Sequence, residues 1–494
     1  MMYRSTRGTD EELTAGKAIL NGIAGGGGLY VPERFPDITN DLKRFIHMPY
    51  RELAYEMLRL YLTDYTETEL TESIGLAYGN NFDTPEIAPL TWQAGYYFLE
   101  LFHGKTLAFK DMALSLLPGL LNITARKHGA GDSIAVLTAT SGDTGKAALE
   151  GFAGANGIEI IVFFPIDGVS EMQKRQMQTQ EGLNTHVIGV YGNFDDTQAG
   201  VKRIFAEGVP GVYLSSANSI NIGRLLPQIV YYVYAYARMV NQFGLELAQP
   251  VNFTVPTGNF GNILAGYYAG RMGLPINKLI CASNDNKVLY DFFQTGVYDK
   301  NREFITTASP SMDILVSSNL ERLLYHISGS IQTKEHMEQL SKLGFYNLTR
   351  ATDGFEAEYA SQEECFEGIR ELYQCSGYII DTHTAVGFKA YQKYKARTGD
   401  DTPNIILSTA SPFKFPESVC ASIDPAYSGL CVFESVSVLR DLYGGYIPEQ
   451  IASLEHKANR HTAVCMPADM RNMVLKLVTR KSLVSNTFEK INKI

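Results

Sequence analysis

Between residues 133 and 282 the chain alternates apolar runs of strand length with longer polar or amphipathic ones, and few architectures accept that rhythm. Residues 133–139, 158–164, 185–191, 212–215, 251–255 and 278–282 are predicted as strands. Helices fill the gaps: one through Phe152, a polar one over 170–182, one that Asp195 or Asp196 can cap, and a long one over 221–243. A loop and helix over 259–272 continue the series. Regular βαβ alternation implies a mostly parallel sheet covered by helices on both faces. Such sheets bind ligands beyond the carboxyl ends of their strands. The expected class is therefore α/β, and the loops after the strands are where chemistry is sought.

Just upstream, residues 97–121 form an apolar stretch that carries one lysine, Lys110, between Phe109 and Asp111. Residues 97–102 read as a strand and 112–121 as one buried helix. Burying an ammonium costs several kcal/mol. Lys110 is thus paired with a counter-charge, snorkelling along apolar surface to water, or working as a desolvated amine nucleophile able to form a Schiff base.

A chain of 494 residues is too long for one core and suggests two or three domains. The first ninety residues read as a separate unit, with a helix over 50–62 and a glycine quartet, Gly25 to Gly28, read as a loop. A net charge of −10 gives no electrostatic case for nucleic acid or anionic membrane. The six cysteines, all from Cys281 onward and without a CxxC pair, point to reduced thiols and a cytoplasmic protein. Neither a signal peptide nor a membrane span is expected: the start is charged, and the apolar run 225–240 is broken by Gln228 and Arg238. Histidine spacing offers no metal site, and no GxSxG elbow is present.

Three loops can hold anions. Gly258, Asn259, Phe260, Gly261 and Asn262 fall where a strand gives way to a helix, and free N–H groups there favour a phosphate. The run is neither a dinucleotide fingerprint nor a Walker loop. Ser141 and Thr144 lie in SGDTG after the first strand, which suits a carboxylate or an ordinary N-cap. Ser219, Asn221 and Arg224 open the long helix, where a guanidinium can clamp a phosphate bidentately; Lys414 is a weaker candidate. Residues 300–400 look irregular, a strand over 404–407 leads into a serine-threonine turn, and beyond Phe415 the chain reads as helical without chemistry. A buried lysine, a glycine-asparagine loop and a hydroxyl turn together suit a pyridoxal phosphate enzyme.

The motifs resemble those of the threonine synthase family: HGKTLAFKDMA at 103–113, LTATSGDTGKAA at 137–148, SSANSINIGRLLPQ at 215–228 and VPTGNFGNILAGYYA at 255–269. SPSMDILVSSNLERLL at 309–324, DTHTAVG at 381–387 and LSTASPFKF at 407–415 look like its later signatures. The resemblance runs from about residue 3 to 420. It implies a fold type II pyridoxal 5'-phosphate enzyme, tryptophan synthase β-like, with an extra N-terminal domain over 1–93. The catalytic region, 94–494, would comprise α/β subdomains near 94–245 and 246–420 and a C-terminal helical segment.

By the same resemblance Lys110 holds the cofactor, the 258–262 loop its phosphate, and Thr409 faces the pyridine nitrogen. Ser141, Thr144, Asn218, Ser219, Asn221 and Arg224 line the substrate site. The implied reaction turns O-phospho-L-homoserine and water into L-threonine and phosphate, in a monomer or weak dimer. The alternative is a synthase-like lyase acting on phosphohomoserine, phosphothreonine or phosphoserine. Lys105 and Ser411 stand where the family more often has proline and histidine, close to the implied site.

Overall fold

The computed structural model describes residues 1–494 apart from 9–11, 130–133, 168, 349–351 and 479–494. Two large sheets carry the molecule. The first is five-stranded and wholly parallel, in the order Ala463–Cys465, Thr185–Val190, Ile158–Pro165, Ile134–Ala139 and Tyr213–Ser216. Every residue of Ile134–Ala139 and Ile158–Pro165 is buried, as continuous apolar runs covered on both faces require. The second has six strands, in the order Phe355–Tyr359, Ile276–Ser283, Val251–Pro256, Asn404–Ser408, Tyr96–Glu100 and Leu90–Gln93. It is parallel except for its last strand, which pairs antiparallel.

The sheets do not divide the chain at residue 245. Tyr96–Glu100, expected in the first subdomain, pairs with Asn404–Ser408 in the second sheet. Leu90–Gln93, expected in the N-terminal unit, extends that sheet's edge. Conversely, the strand Ala463–Cys465 returns to the first sheet, where only helix was expected. Pairing across hundreds of residues leaves no local trace in the sequence.

Other differences have local causes. The helix expected over 112–121 is two, Asp111–Leu114 and Leu117–His128, with Pro118 at the start of the second; proline suits a first turn and not an interior. The helix Phe194–Glu207 is capped by Asn193, while Asp196 closes the capping box from its third position; the side chain of Asp195 lies outside the described residues. The stretch 300–400 holds the helices Leu320–Lys342, Gln362–Ser376 and Thr382–Thr398, the first interrupted at Gly329 with φ 78°.

The N-terminal segment forms a small antiparallel sheet of Leu13–Thr14, Met2–Ser5 and Tyr30–Pro32. It is bound to the rest by charge: Arg7 donates to both carboxylate oxygens of Glu321, at 2.9 and 2.8 Å. The helix Ile222–Phe243 runs through the middle with Tyr231, Tyr232, Tyr234 and Tyr236 buried, which accounts for its unusual tyrosine content.

Candidate active site

Lys110 sits on a tight turn between Tyr96–Glu100 and the helix Asp111–Leu114. The turn is anchored to the loop after Asn404–Ser408. The Phe109 N–H donates to the Thr409 carbonyl at 2.9 Å, and the Ser411 N–H to the Leu107 carbonyl at 3.0 Å. Leu107 adopts φ 60°, a left-handed conformation that the surrounding bonds hold. The lysine loop and the Thr409 loop are therefore one backbone unit.

Lys110 is 9% exposed. Its Nζ lies 3.3 Å from Asp143 Oδ2 and 3.3 Å from Ser311 Oγ. Burial pushes its ammonium down from the usual lysine range, and Asp143 offsets this in part. Asp143 itself would be raised by burial, but Lys414 and Lys110 beside it hold the carboxyl well below the ordinary range.

A cavity of about 1130 Å³ opens over Lys110. Gly258, Asn259, Phe260, Gly261, Asn262 and Thr409 line it, as do Ser141, Thr144, Asn218, Ser219 and Arg224. Asn221 is not on this wall. Its side chain is fully buried and caps the long helix, accepting from the Gly223 N–H and donating to the carbonyls of Ile19 and Ser216. Lys105 and Ser411 are not on it either: Lys105 points toward Glu150 at 3.8 Å, and Ser411 caps the turn Pro412–Lys414. These two positions thus stand off the cavity wall.

The 258–262 loop has the form of an anion cradle. Its carbonyls face away from the strand end: Gly258 O accepts from Ser317 Oγ at 2.7 Å, and Asn259 O from the Asn319 amide nitrogens at 3.1 and 2.9 Å. Across a trans peptide the N–H points opposite to the carbonyl, so the N–H groups of Asn259 and Phe260 turn the other way. Phe260 caps the helix Gly261–Arg271 at φ 59°, an unusual conformation for a bulky residue. First-turn N–H groups of such a helix have no intrahelical acceptor. Asn262 Oδ1 is engaged by Tyr231 and Tyr232, whereas its Nδ2 is buried without a partner. An orphaned buried donor at a helix start is chemically suited to a phosphate.

A second donor set stands elsewhere on the same wall. Arg224 is 2% exposed; it donates from Nη1 to the Ala217 carbonyl at 2.5 Å, while its Nε is buried without a partner. Burial lowers this guanidinium to about 10, leaving it charged at neutral pH.

Several residues in this site lay outside the expected set. Asp143 lies inside SGDTG, where only Ser141 and Thr144 are singled out from the sequence. Ser311 donates from Oγ to Asp143 Oδ2 at 3.1 Å, and its N–H donates to His383 Nε2 at 3.1 Å. His383 must then carry its proton on Nδ1, toward Asp381 Oδ2 at 2.7 Å. The glycine quartet read as a loop supplies Gly25, Gly26 and Gly27 to the cavity, together with Arg7. Lys414, expected as a possible phosphate clamp, is wholly buried and off the cavity wall. Among the described residues no cluster could hold a metal ion, and no helix is long and apolar enough to cross a membrane.

A parallel-sheet fold with a buried lysine and a glycine-asparagine loop on the wall of one cavity is that of a fold type II pyridoxal-phosphate dependent enzyme, and residues 84–409 match the model of the pyridoxal-phosphate dependent enzymes. Residues 2–78 match the threonine synthase N terminus and 384–474 the threonine synthase C-terminal region. The chain belongs to the threonine synthase family. It is 41% identical to a threonine synthase of Pseudomonas aeruginosa over 85% of this chain and 90% of that protein. It is also 41% identical to human threonine synthase-like 1, but spans 58% of that protein. Its structure matches PLP-bound threonine synthase from Brucella melitensis with a TM-score of 0.84 and 34% identity, covering 97% of this chain and 98% of that one. Yeast threonine synthase matches with a TM-score of 0.85 and 32% identity, covering 99% of both chains.

Proposed function

We propose that the protein converts O-phospho-L-homoserine and water to L-threonine and phosphate, as a carbon-oxygen lyase acting on a phosphate ester. The observation that carries this is the pairing of two separate donor sets with one desolvated amine. The reaction needs two phosphates held at once, one on the cofactor and one on the substrate, with a base between them. The 258–262 loop and Arg224 supply two such sets, and residues of both line the cavity over Lys110.

Pyridoxal phosphate, when bound, supplies an electron sink that stabilises negative charge at the substrate Cα. The residues present suit it: the backbone cradle and Asn262 Nδ2 for its phosphate, Lys110 for its carbonyl carbon, and the Thr409 hydroxyl for its ring nitrogen. The Lys110 amine would take the proton from the substrate Cα. A second proton leaves Cβ, phosphate departs from Cγ with cleavage of the carbon–oxygen bond, and a proton is returned to Cγ to make the methyl group. Water adds its hydroxyl at Cβ, and a proton is returned to Cα. An amine whose burial lowers its basicity toward neutrality suits each proton transfer. Asp143 and Ser311 hold Nζ in place between transfers. Arg224, with Ser219 and Asn218 beside it, holds the γ-phosphate; Ser141 and Thr144 suit the substrate carboxylate.

A second reading is a synthase-like lyase that eliminates phosphate from phosphohomoserine without making threonine. Incubation with O-phospho-L-homoserine and chromatography of the products separates them: threonine with equimolar phosphate is expected, and 2-oxobutyrate with phosphate would support the lyase. We further place the protein in the cytoplasm as a monomer or weak dimer, with an N-terminal unit ending before the strand Leu90–Gln93. The negative net charge agrees with a small-molecule enzyme that binds neither nucleic acid nor anionic membrane.

A further inference from the structure

The buried charges beneath Lys110 do not balance if both nearby lysines are protonated. Asp143 is one carboxylate facing two amines, Lys414 at 3.0 Å from Oδ1 and Lys110 at 3.3 Å from Oδ2. Their surroundings differ. Lys414 is 0% exposed and its Nζ meets three acceptors: Asp143 Oδ1, the Thr106 carbonyl at 2.9 Å and Gln176 Oε1 at 3.0 Å. An ammonium has three donors, so Lys414 is fully satisfied as a cation. Lys110 has two longer contacts and borders the cavity. Asp143 Oδ1 also accepts from Gln173 Nε2 at 2.9 Å, which fixes that oxygen on the Lys414 side.

We propose that Lys414 is a positioning residue for Lys110: its ammonium, locked onto Asp143, makes Lys110 the neutral amine of the site. Asp143 is then a carboxylate already compensated, able to orient Lys110 without holding it permanently as an ion pair. Two like charges near one carboxylate cannot both be stabilised in a buried setting, and the better-solvated one keeps its proton. The other charged groups around Lys110 do not change the count in its favour. Asp111, on its own element, is turned to the Thr106 N–H and hydroxyl at 2.7 and 2.6 Å. Lys146 is paired with Glu150 at 3.0 Å, His383 is bonded to Asp381, and Arg224 adds a further positive charge that disfavours an ammonium at 110. The proposal rests on Lys110 being the cofactor lysine.

The test is the titration of Lys110 in the full chain freed of pyridoxal phosphate with hydroxylamine. Trace acetylation with acetic anhydride across pH, with the peptide containing residue 110 quantified by mass spectrometry, gives its midpoint. Lys414→Met leaves Asp143 uncompensated and should raise the midpoint by about one unit or more. Asp143→Asn should lower it, and the double variant should bring it back toward the wild-type value. Lys414→Arg, which keeps the charge, should stay close to wild type. An unmoved midpoint in a folded Lys414→Met protein would overturn the proposal. Should that variant fail to fold, equal midpoints for Asp143→Asn and the double variant would overturn it as well. Failure of the underlying assignment looks different: borohydride would then fix pyridoxal phosphate to a lysine other than 110.

Discussion

Gly258 and Ser311 meet backbone to backbone: a Cβ at Gly258 would stand 2.5 Å from the Ser311 carbonyl oxygen. Neither partner of that contact is a flexible side chain, so the phosphate loop and the turn that touches Lys110 cannot separate locally to admit a methyl group. Gly258→Ala should therefore weaken pyridoxal phosphate binding at least tenfold and lower stability by about 1–3 kcal/mol. Cofactor titration by visible absorbance and a thermal melt check both. Unchanged affinity would show that the loop is not the cradle.

Arg224 is expected to act on substrate and not on cofactor. Arg224→Ala removes a charge-assisted bond worth about 1.5–3 kcal/mol, which is roughly a tenfold to hundredfold rise in the phosphohomoserine concentration needed. Bound cofactor should stay at wild-type content. Loss of cofactor together with activity would place Arg224 in the wrong half of the site.

Thr409 is expected to offer the ring nitrogen a neutral hydroxyl, which would not stabilise a protonated ring. Thr409→Asp supplies a carboxylate and should favour the pyridinium form. The cofactor absorbance should shift and turnover should fall at least tenfold. A spectrum and a rate equal to wild type would contradict the assignment.

His103 bridges Asp83 at 2.7 Å and Glu100 at 2.9 Å, joining the segment before the second sheet to one of its strands. Burial opposes its charge, but the two carboxylate bonds outweigh burial and raise the imidazolium to about 9. A group raised above its unfolded value stabilises the fold fully below about pH 6.5. That contribution is lost as pH rises through about 9. His103→Gln should cost about 2 kcal/mol at pH 6 and much less at pH 10, read by denaturant titration of both proteins at both pH values. An equal cost at both would contradict the bridge.

Much of the site was legible because its chemistry is local in sequence. A lysine inside an apolar stretch and a glycine-asparagine run at a strand end declare desolvation and anion binding without any tertiary information. What escaped was made by convergence. Asp143 was in view, but its task depends on Lys414, which lies 271 positions later and meets it only in the folded core. Ser311 and His383 come from segments that looked irregular, because Gly329 and short strands blur the period there. Asn221 shows the opposite error. It stands in a motif with Ser219 and Arg224, yet a helix start needs a cap, and its amide serves that need. The partition of strands between the two sheets was not readable either, since Tyr96–Glu100 pairs with a strand some three hundred residues away.

The most direct measurement is turnover of O-phospho-L-homoserine in ¹⁸O-labelled water with mass analysis of both products. If phosphate leaves Cγ by carbon–oxygen cleavage and water enters at Cβ, the label appears in the hydroxyl of threonine and the released phosphate carries none. Unlabelled threonine, labelled phosphate beside homoserine, or 2-oxobutyrate as the main product would each contradict the account.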